Sequence, residues 1–434
     1  MSTTATLNGN APWASNLPKH WKLQKLKSFT RMKSSNVDKL TVEGEVPIRL
    51  CNYTDVYYKD VIHADLDFMK ATAKSEEIDK FALRKGDIIV TKDSEIASDI
   101  AVPAYVPEDI DGVICGYHLA QIRPSSDEVN GKYVFYAFNS HGVRDHFHNS
   151  ANGITRYGLS QHDIKSALFP LPPRAEQDAI VGYLDAKLEQ IDRFITNKRH
   201  LIELLEEERQ RTIHMAITRG MNPDVKLKPT GIKWLPQIPQ HWEMRRNGTL
   251  FDERKQKGHE DLPVLMVSIN TAVTLDRPNQ VREQQQIADK EKYAFAAKND
   301  IAFNMMRMWQ GAVGVVPVDG NVSPAYVVCK PRQNVDPRYY ELLFRTKLYQ
   351  GEVFCYSYGI VLDRNRLYWI GFKSIFSPYP PIEEQKEIIK KISTMTKEVE
   401  EAKSKAQAEI DLINEFRTSL IAEAVTGKIE INNK

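Results

Sequence analysis

The chain has 434 residues, 42% of them hydrophobic and 27% charged, a balance typical of globular proteins and a length that calls for two or more cores. Its net charge of +2 supplies no overall basic field, so any contact with nucleic acid must come from locally arranged Lys and Arg, and it excludes a strongly acidic mimic of a polyanion. No apolar run is long enough for a membrane helix and the first ten residues lack a signal-peptide core, so a cytoplasmic protein is expected.

The first segment, residues 1–171, opens with Trp13 and, eight residues on, Trp21 in Leu17-Pro18-Lys19-His20-Trp21. Short β-branched runs between turn residues follow, Gly86-Asp87-Ile88-Ile89-Val90 among them, and predict a mixed α/β domain. Residues 172–221 begin with Pro172-Pro173-Arg174-Ala175-Glu176-Gln177 and turn helical, because proline suits a helix start and the glutamate falls in the first turn. A heptad frame places Leu184, Ile191, Lys198, Leu205 and Thr212 at a, with Leu188, Ile195, Ile202, Arg209 and Ala216 at d. Residues 174 to 219 would span roughly 69 Å at 1.5 Å per residue.

The chain then repeats itself. Residues 222–379 open with Trp234 and Trp242 in Ile238-Pro239-Gln240-His241-Trp242, and Asn299-Asp300-Ile301-Ala302-Phe303 echoes the run at Gly86. This segment holds 22 basic and 16 acidic residues and is the mildly basic one, at +6. Residues 380–434 start with Pro380-Pro381-Ile382-Glu383-Glu384-Gln385 and continue in the same heptad frame, with Ile392, Val399, Ala406, Ile413 and Leu420 at a and Thr396, Lys403, Ile410, Arg417 and Ala424 at d. The first helix delivers the chain to the second domain and the second must run back, so the pair should be antiparallel. The expected fold class is mixed α/β: two globular α/β domains joined by two long helices forming an antiparallel coiled coil, with a pseudo-two-fold axis. Polar residues in the seam argue for one helix pair with a set register. Cys51, Cys115, Cys329 and Cys355 have no zinc or redox spacing and are expected to be buried free thiols.

The paired Pro-x-His-Trp openings, the paired Pro-Pro-x-x-Glu-Gln closings, and Ala216-Ile217-Thr218 with Ala424-Val425-Thr426 near the helix ends resemble the specificity subunits of Type I restriction-modification enzymes over nearly the whole chain. That resemblance implies a non-catalytic subunit in which each globular part, a target recognition domain, reads one half of a bipartite, asymmetric double-stranded DNA site. The helices would hold the halves apart and dock two modification (methyltransferase) subunits, with restriction and translocase subunits joining the complex. S-adenosylmethionine, ATP and magnesium would sit on those partners and none on this chain.

Candidate DNA contacts are sought where the two domains differ and where polar, planar or basic side chains meet turn residues. In the first domain these are Lys92 and Ser94, flanking Asp93, and Asn152, Thr155, Arg156 and Tyr157. In the second they are Asn304, Arg307, Trp309 and Gln310 beside Gly311, and Arg364, Asn365 and Arg366 after Asp363. No catalytic or metal-binding residue is assigned. A self-sufficient DNA nuclease or methyltransferase is the rival reading. It would draw on Asp224, Glu253 and Lys255 for a nuclease, but Ser377-Pro378-Tyr379-Pro380 has the wrong order for an adenine methyltransferase motif and no phosphate-binding glycine loop occurs. His20 and His241 lack ligand partners at useful spacing, and packed turns are expected there.

Overall fold

A computed structural model describes residues 12–259, 261–276, 292–359 and 365–431. The chain divides into two compact units, residues 1–199 with 407–434, and residues 200–406. Each unit contains one globular part and a stretch of both long helices.

Unit one is built on two sheets. Its strands are β1 (Thr30–Ser34), β2 (Val46–Cys51), β3 (Met69–Ala73), β4 (Ile88–Thr91), β5 (Pro103–Tyr105), β6 (Val113–Cys115) and β7 (Leu119–Pro124). An antiparallel sheet of order β1-β7-β4-β5 lies beside a smaller sheet, β3-β2-β6, in which β2 and β6 run parallel. β4 is buried along its whole length, as its unbroken Ile88-Ile89-Val90 run requires. Helices α1 (Gly131–Phe138) and α2 (His141–Ser150) follow, and the chain enters α3, Arg174–Arg219. Trp13 lies against Gly142 of α2 so closely that a Cβ there would meet the indole at 2.1 Å, which explains a glycine inside a helix.

Unit two repeats this plan with β8 (Phe251–Glu253), β9 (Val264–Ser268), β10 (Ala272–Leu275), β11 (Ala294–Ala296), β12 (Ile301–Asn304), β13 (Val313–Val315), β14 (Gly320–Val322) and β15 (Tyr326–Pro331). The sheet β8-β15-β12-β13 matches the first sheet of unit one strand for strand, and β10-β9-β14-β11 matches the second, parallel at β9 and β14, with one added strand. Helices α4 (Pro337–Phe344) and α5 (Lys347–Cys355) stand where α1 and α2 stand in unit one, and α6 covers Ile382–Val425.

Every a and d position of both helices is buried or half-buried. In unit one Lys198 pairs with Glu409 at 2.5 Å and Arg417 with Asp192; in unit two Lys403 bonds Glu206 at 3.2 Å. In each unit a higher number on α6 meets a lower number on α3, with Gly220, just past α3, against Glu384 in unit two, so the helices there are antiparallel, and the seam's charged residues are held by ion pairs. Cys51, Cys115 and Cys329 are buried, but Cys355, at the end of α5, is exposed and departs from the expectation for it. Among the described residues no helix is long and apolar enough to cross a membrane.

Candidate nucleic-acid interface

The repeated motifs turn out to be joints between globular part and helix. Glu176, in the first turn of α3, accepts hydrogen bonds from Trp21 Nε1 at 2.8 Å and lies 2.8 Å from His20 Nε2. Glu384 treats Trp242 and His241 alike, at 2.9 and 2.8 Å. Gln177 accepts from the Asn130 backbone and donates to the Pro172 carbonyl, and Gln385 does the same with Asp336 and Pro380. At the far helix ends Tyr133 donates to the Val425 carbonyl in unit one and Tyr339 to the Ile217 carbonyl in unit two. His20 and His241 thus serve the joints.

In unit one the two predicted clusters come together. Past β4, Asp93–Ser94 pairs antiparallel with Tyr157–Gly158. The segment from Asn152 to Gly158 is closed by backbone hydrogen bonds of 3.1 and 2.9 Å, and Gly153, at φ +150°, lies so near the Arg156 carbonyl that no side chain fits. Its tip exposes Ile154 (94%) along with Thr155. Arg156 Nη2 donates to Asp93 Oδ1 at 2.6 Å, while Asn152 is exposed and caps the Ser150 carbonyl. Two candidates point elsewhere. Lys92 turns inward to the Ser35 carbonyl at 3.1 Å, and burial holds its ammonium below the usual lysine range. Ser94 is only 5% exposed and its hydroxyl accepts from the Ile96 backbone, because the paired strands cover it.

Unit two joins the equivalent pair of loops. Leu367 donates its backbone N–H to the Met305 carbonyl at 2.8 Å, as Leu159 does to Lys92 at 2.9 Å, and Tyr358 and Arg366 exchange backbone hydrogen bonds as Asn152 and Gly158 do. Asn304 caps the turn after β12 through the Met306 N–H. Arg307 is exposed, and among the described residues its guanidinium has no partner. Trp309 is half-buried: its N–H bonds to the Met306 carbonyl and its ring edge meets Phe354. Gln310 is half-buried and precedes Gly311, whose φ of +90° ends the turn. Arg366 is exposed, whereas Asn365 is buried at 8% exposure; Asp363 and Arg364 lie outside the described residues.

Sequence reasoning missed Tyr117 and His118. They occupy the turn between β6 and β7, where the His118 backbone carbonyl accepts from Lys92 N at 3.0 Å. A turn residue beside a glycine, Gly116, was the available signal. Among the described residues no group of three or more His, Cys, Asp or Glu could hold a metal ion, so Asp224 and Glu253 are not gathered into one. Glu253 instead pairs with Lys255 at 3.0 Å.

Residues 18–207 match the model of the Type I restriction modification DNA specificity domain. The chain is 23% identical over 330 residues to the EcoBI specificity subunit of Escherichia coli, covering 72% of this chain and 68% of that protein. It is 21% identical over 437 residues to a putative MjaX specificity subunit from Methanocaldococcus jannaschii, covering 96% and 95%. Among solved structures, one from work on complex assembly and conformational transition of the type I restriction-modification system aligns with a TM-score of 0.66 at 16% identity, over 95% of this chain and all of that one. The HsdS subunit of Thermoanaerobacter tengcongensis aligns at 0.55 and 18%, over 95% and 98%. By motif, domain match and fold, the chain resembles the type I restriction-modification specificity subunits, and residues 18–207 match their DNA specificity domain.

Proposed function

We propose that each unit reads one half of a bipartite, asymmetric DNA site through its two joined loops, and that the chain itself performs no catalysis. The observation that carries this reading is the contrast inside one scaffold: the strand order and helix joints repeat, while Asp93, Arg156 and Ile154 in unit one give way to Arg307, Trp309 and Arg366 in unit two. Exposed arginine and asparagine at such loops suit base edges in the major groove, where the donor and acceptor pattern is unique to each base pair. The long helices would dock two modification subunits in a cytoplasmic complex, joined by restriction and translocase subunits. Those partners would hold S-adenosylmethionine, ATP and magnesium.

The test combines the chain with its modification partner on a duplex library randomised in sequence and in the length of a central gap. Methylation should select two unlike half-sites at a fixed gap, and the chain alone with magnesium and S-adenosylmethionine should neither cut nor methylate. A continuous or palindromic target, or turnover without the partner, would refute the proposal.

A further inference from the structure

The turn between β6 and β7 places an aromatic pair against both loops of unit one. His118 Nδ1 lies 2.8 Å from Asp93 Oδ2 and 3.4 Å from Arg156 Nη2. Lys92 Nζ sits 4.6 Å from the centroid of the Tyr117 ring, itself 51% exposed. Unit two has Pro324 and Ala325 at the equivalent turn, where Met305 N donates to the Ala325 carbonyl at 3.0 Å. The histidine is therefore a feature of one unit, as a residue that reads one half-site should be.

The Asp93 contact decides what His118 can offer. A carboxylate accepts hydrogen bonds, so the proton of the neutral ring belongs on Nδ1, and Nε2 is left as an acceptor. Nε2 has no partner among the described residues, and the side chain is 36% exposed. Asp93 in turn is fixed by its backbone pairing with Gly158 and holds Arg156 with its other oxygen. One anchored carboxylate thus presents an acceptor and a donor side by side.

We infer that His118 is a specificity-determining residue whose Nε2 accepts a hydrogen bond from the exocyclic amino group of an adenine or cytosine in the major groove, with Asp93 as its positioning residue. Among major-groove edges only those two bases offer a donor. The inference rests on the proposed reading of DNA by unit one. Tyr117, pinned beneath Lys92, walls the ring on one side by an edge-on contact at 4.8 Å between centroids.

The test uses the full complex with the modification partner and a duplex library randomised across both half-sites. His118→Ala should lose roughly 5- to 150-fold discrimination at a single base pair of one half-site, with the other half-site unchanged. His118→Gln, which keeps an acceptor, should retain most of it. Asp93→Asn can donate to Nδ1 and so permits the tautomer in which Nε2 donates; guanine or thymine, with acceptors in the groove, should then be admitted at that same base pair. Unchanged discrimination in His118→Ala would overturn the assignment. So would a loss spread evenly over the half-site in both His118 variants, which marks a packing role. A wild-type complex with no sequence preference would instead remove the DNA-reading function on which the inference stands.

Discussion

Unit one and unit two hold their helices with the same atoms and build their loops with different ones. Glu176 and Glu384 bind a histidine and a tryptophan apiece, and Gln177 and Gln385 tie the same two backbone groups. Yet Arg156 is neutralised by Asp93, whereas Arg307 has no partner among the described residues. Even the sheet beneath the loops differs in how it reaches one result. A buried aspartate opens the central strand in each unit, but Asp87 is met by Arg123 from β7 and Asp300 by Arg254, just beyond β8. What must be conserved for a joint is atomic geometry; what must be conserved for a core is only that the buried charge is paired.

The joints give the largest expected effect and the sharpest way to break the comparison. Trp242 is fully buried, while Trp21 is half-buried against Pro18 and Gly427. Trp242→Ala should cost about 3–5 kcal/mol of stability and Trp21→Ala about half of that, read from urea unfolding of the full chain. Equal costs would mean that the joints differ from what their matched hydrogen bonds suggest. The loops come next. Arg307→Ala should relax one half-site by about 1–3 kcal/mol, and Arg156→Ala should relax the other by less, because Asp93 already occupies its guanidinium. Library methylation measures both, and a larger loss for Arg156 would reverse their assigned weights.

The smallest effect lies in the helix seam of unit two. Hydrogen bonds from Arg209, then from Gln210 and Lys403, hold the Glu206 carboxyl down to about 2. Its folded value is below its unfolded one, so its contribution is present above the ordinary glutamate range near 4.5 and is lost as pH falls toward 2. Because Glu206 is partly exposed, solvent screening keeps that contribution under about 1 kcal/mol. Glu206→Gln should trail wild type in thermal stability at pH 7 and converge with it near pH 2; a constant gap would assign the loss to packing.

The joints and helices were legible in the sequence because both are local signals repeated twice. Pro172-Pro173 and Pro380-Pro381 mark helix starts, and the heptad frame holds residue by residue to Ala216 and Ala424. The candidate interface was legible only as loops. Which side chains face outward there depends on pairing between distant segments: Asp93–Ser94 pairs with Tyr157–Gly158 and Ser94 is buried, and Asn365 is buried two residues before Leu367 bonds back to Met305. His118 was invisible for the same reason, since its partner Asp93 lies 25 residues away. The substitution of Arg254 for Arg123 likewise has no sequence signature, as Arg123 sits on β7 and Arg254 just beyond β8.

The division of the chain between the units also sets an order of assembly during synthesis. Unit two is one continuous stretch, residues 200–406, whereas unit one needs residues 407–434 to fill its core with Leu420, Ile421, Ala424 and Val425 and to receive Tyr133 at the Val425 carbonyl. On the ribosome, the domain translated first is therefore the one completed last. Until α6 emerges, unit one lacks those four apolar side chains, and the surface they would cover in a nascent chain is of the kind that chaperones shield.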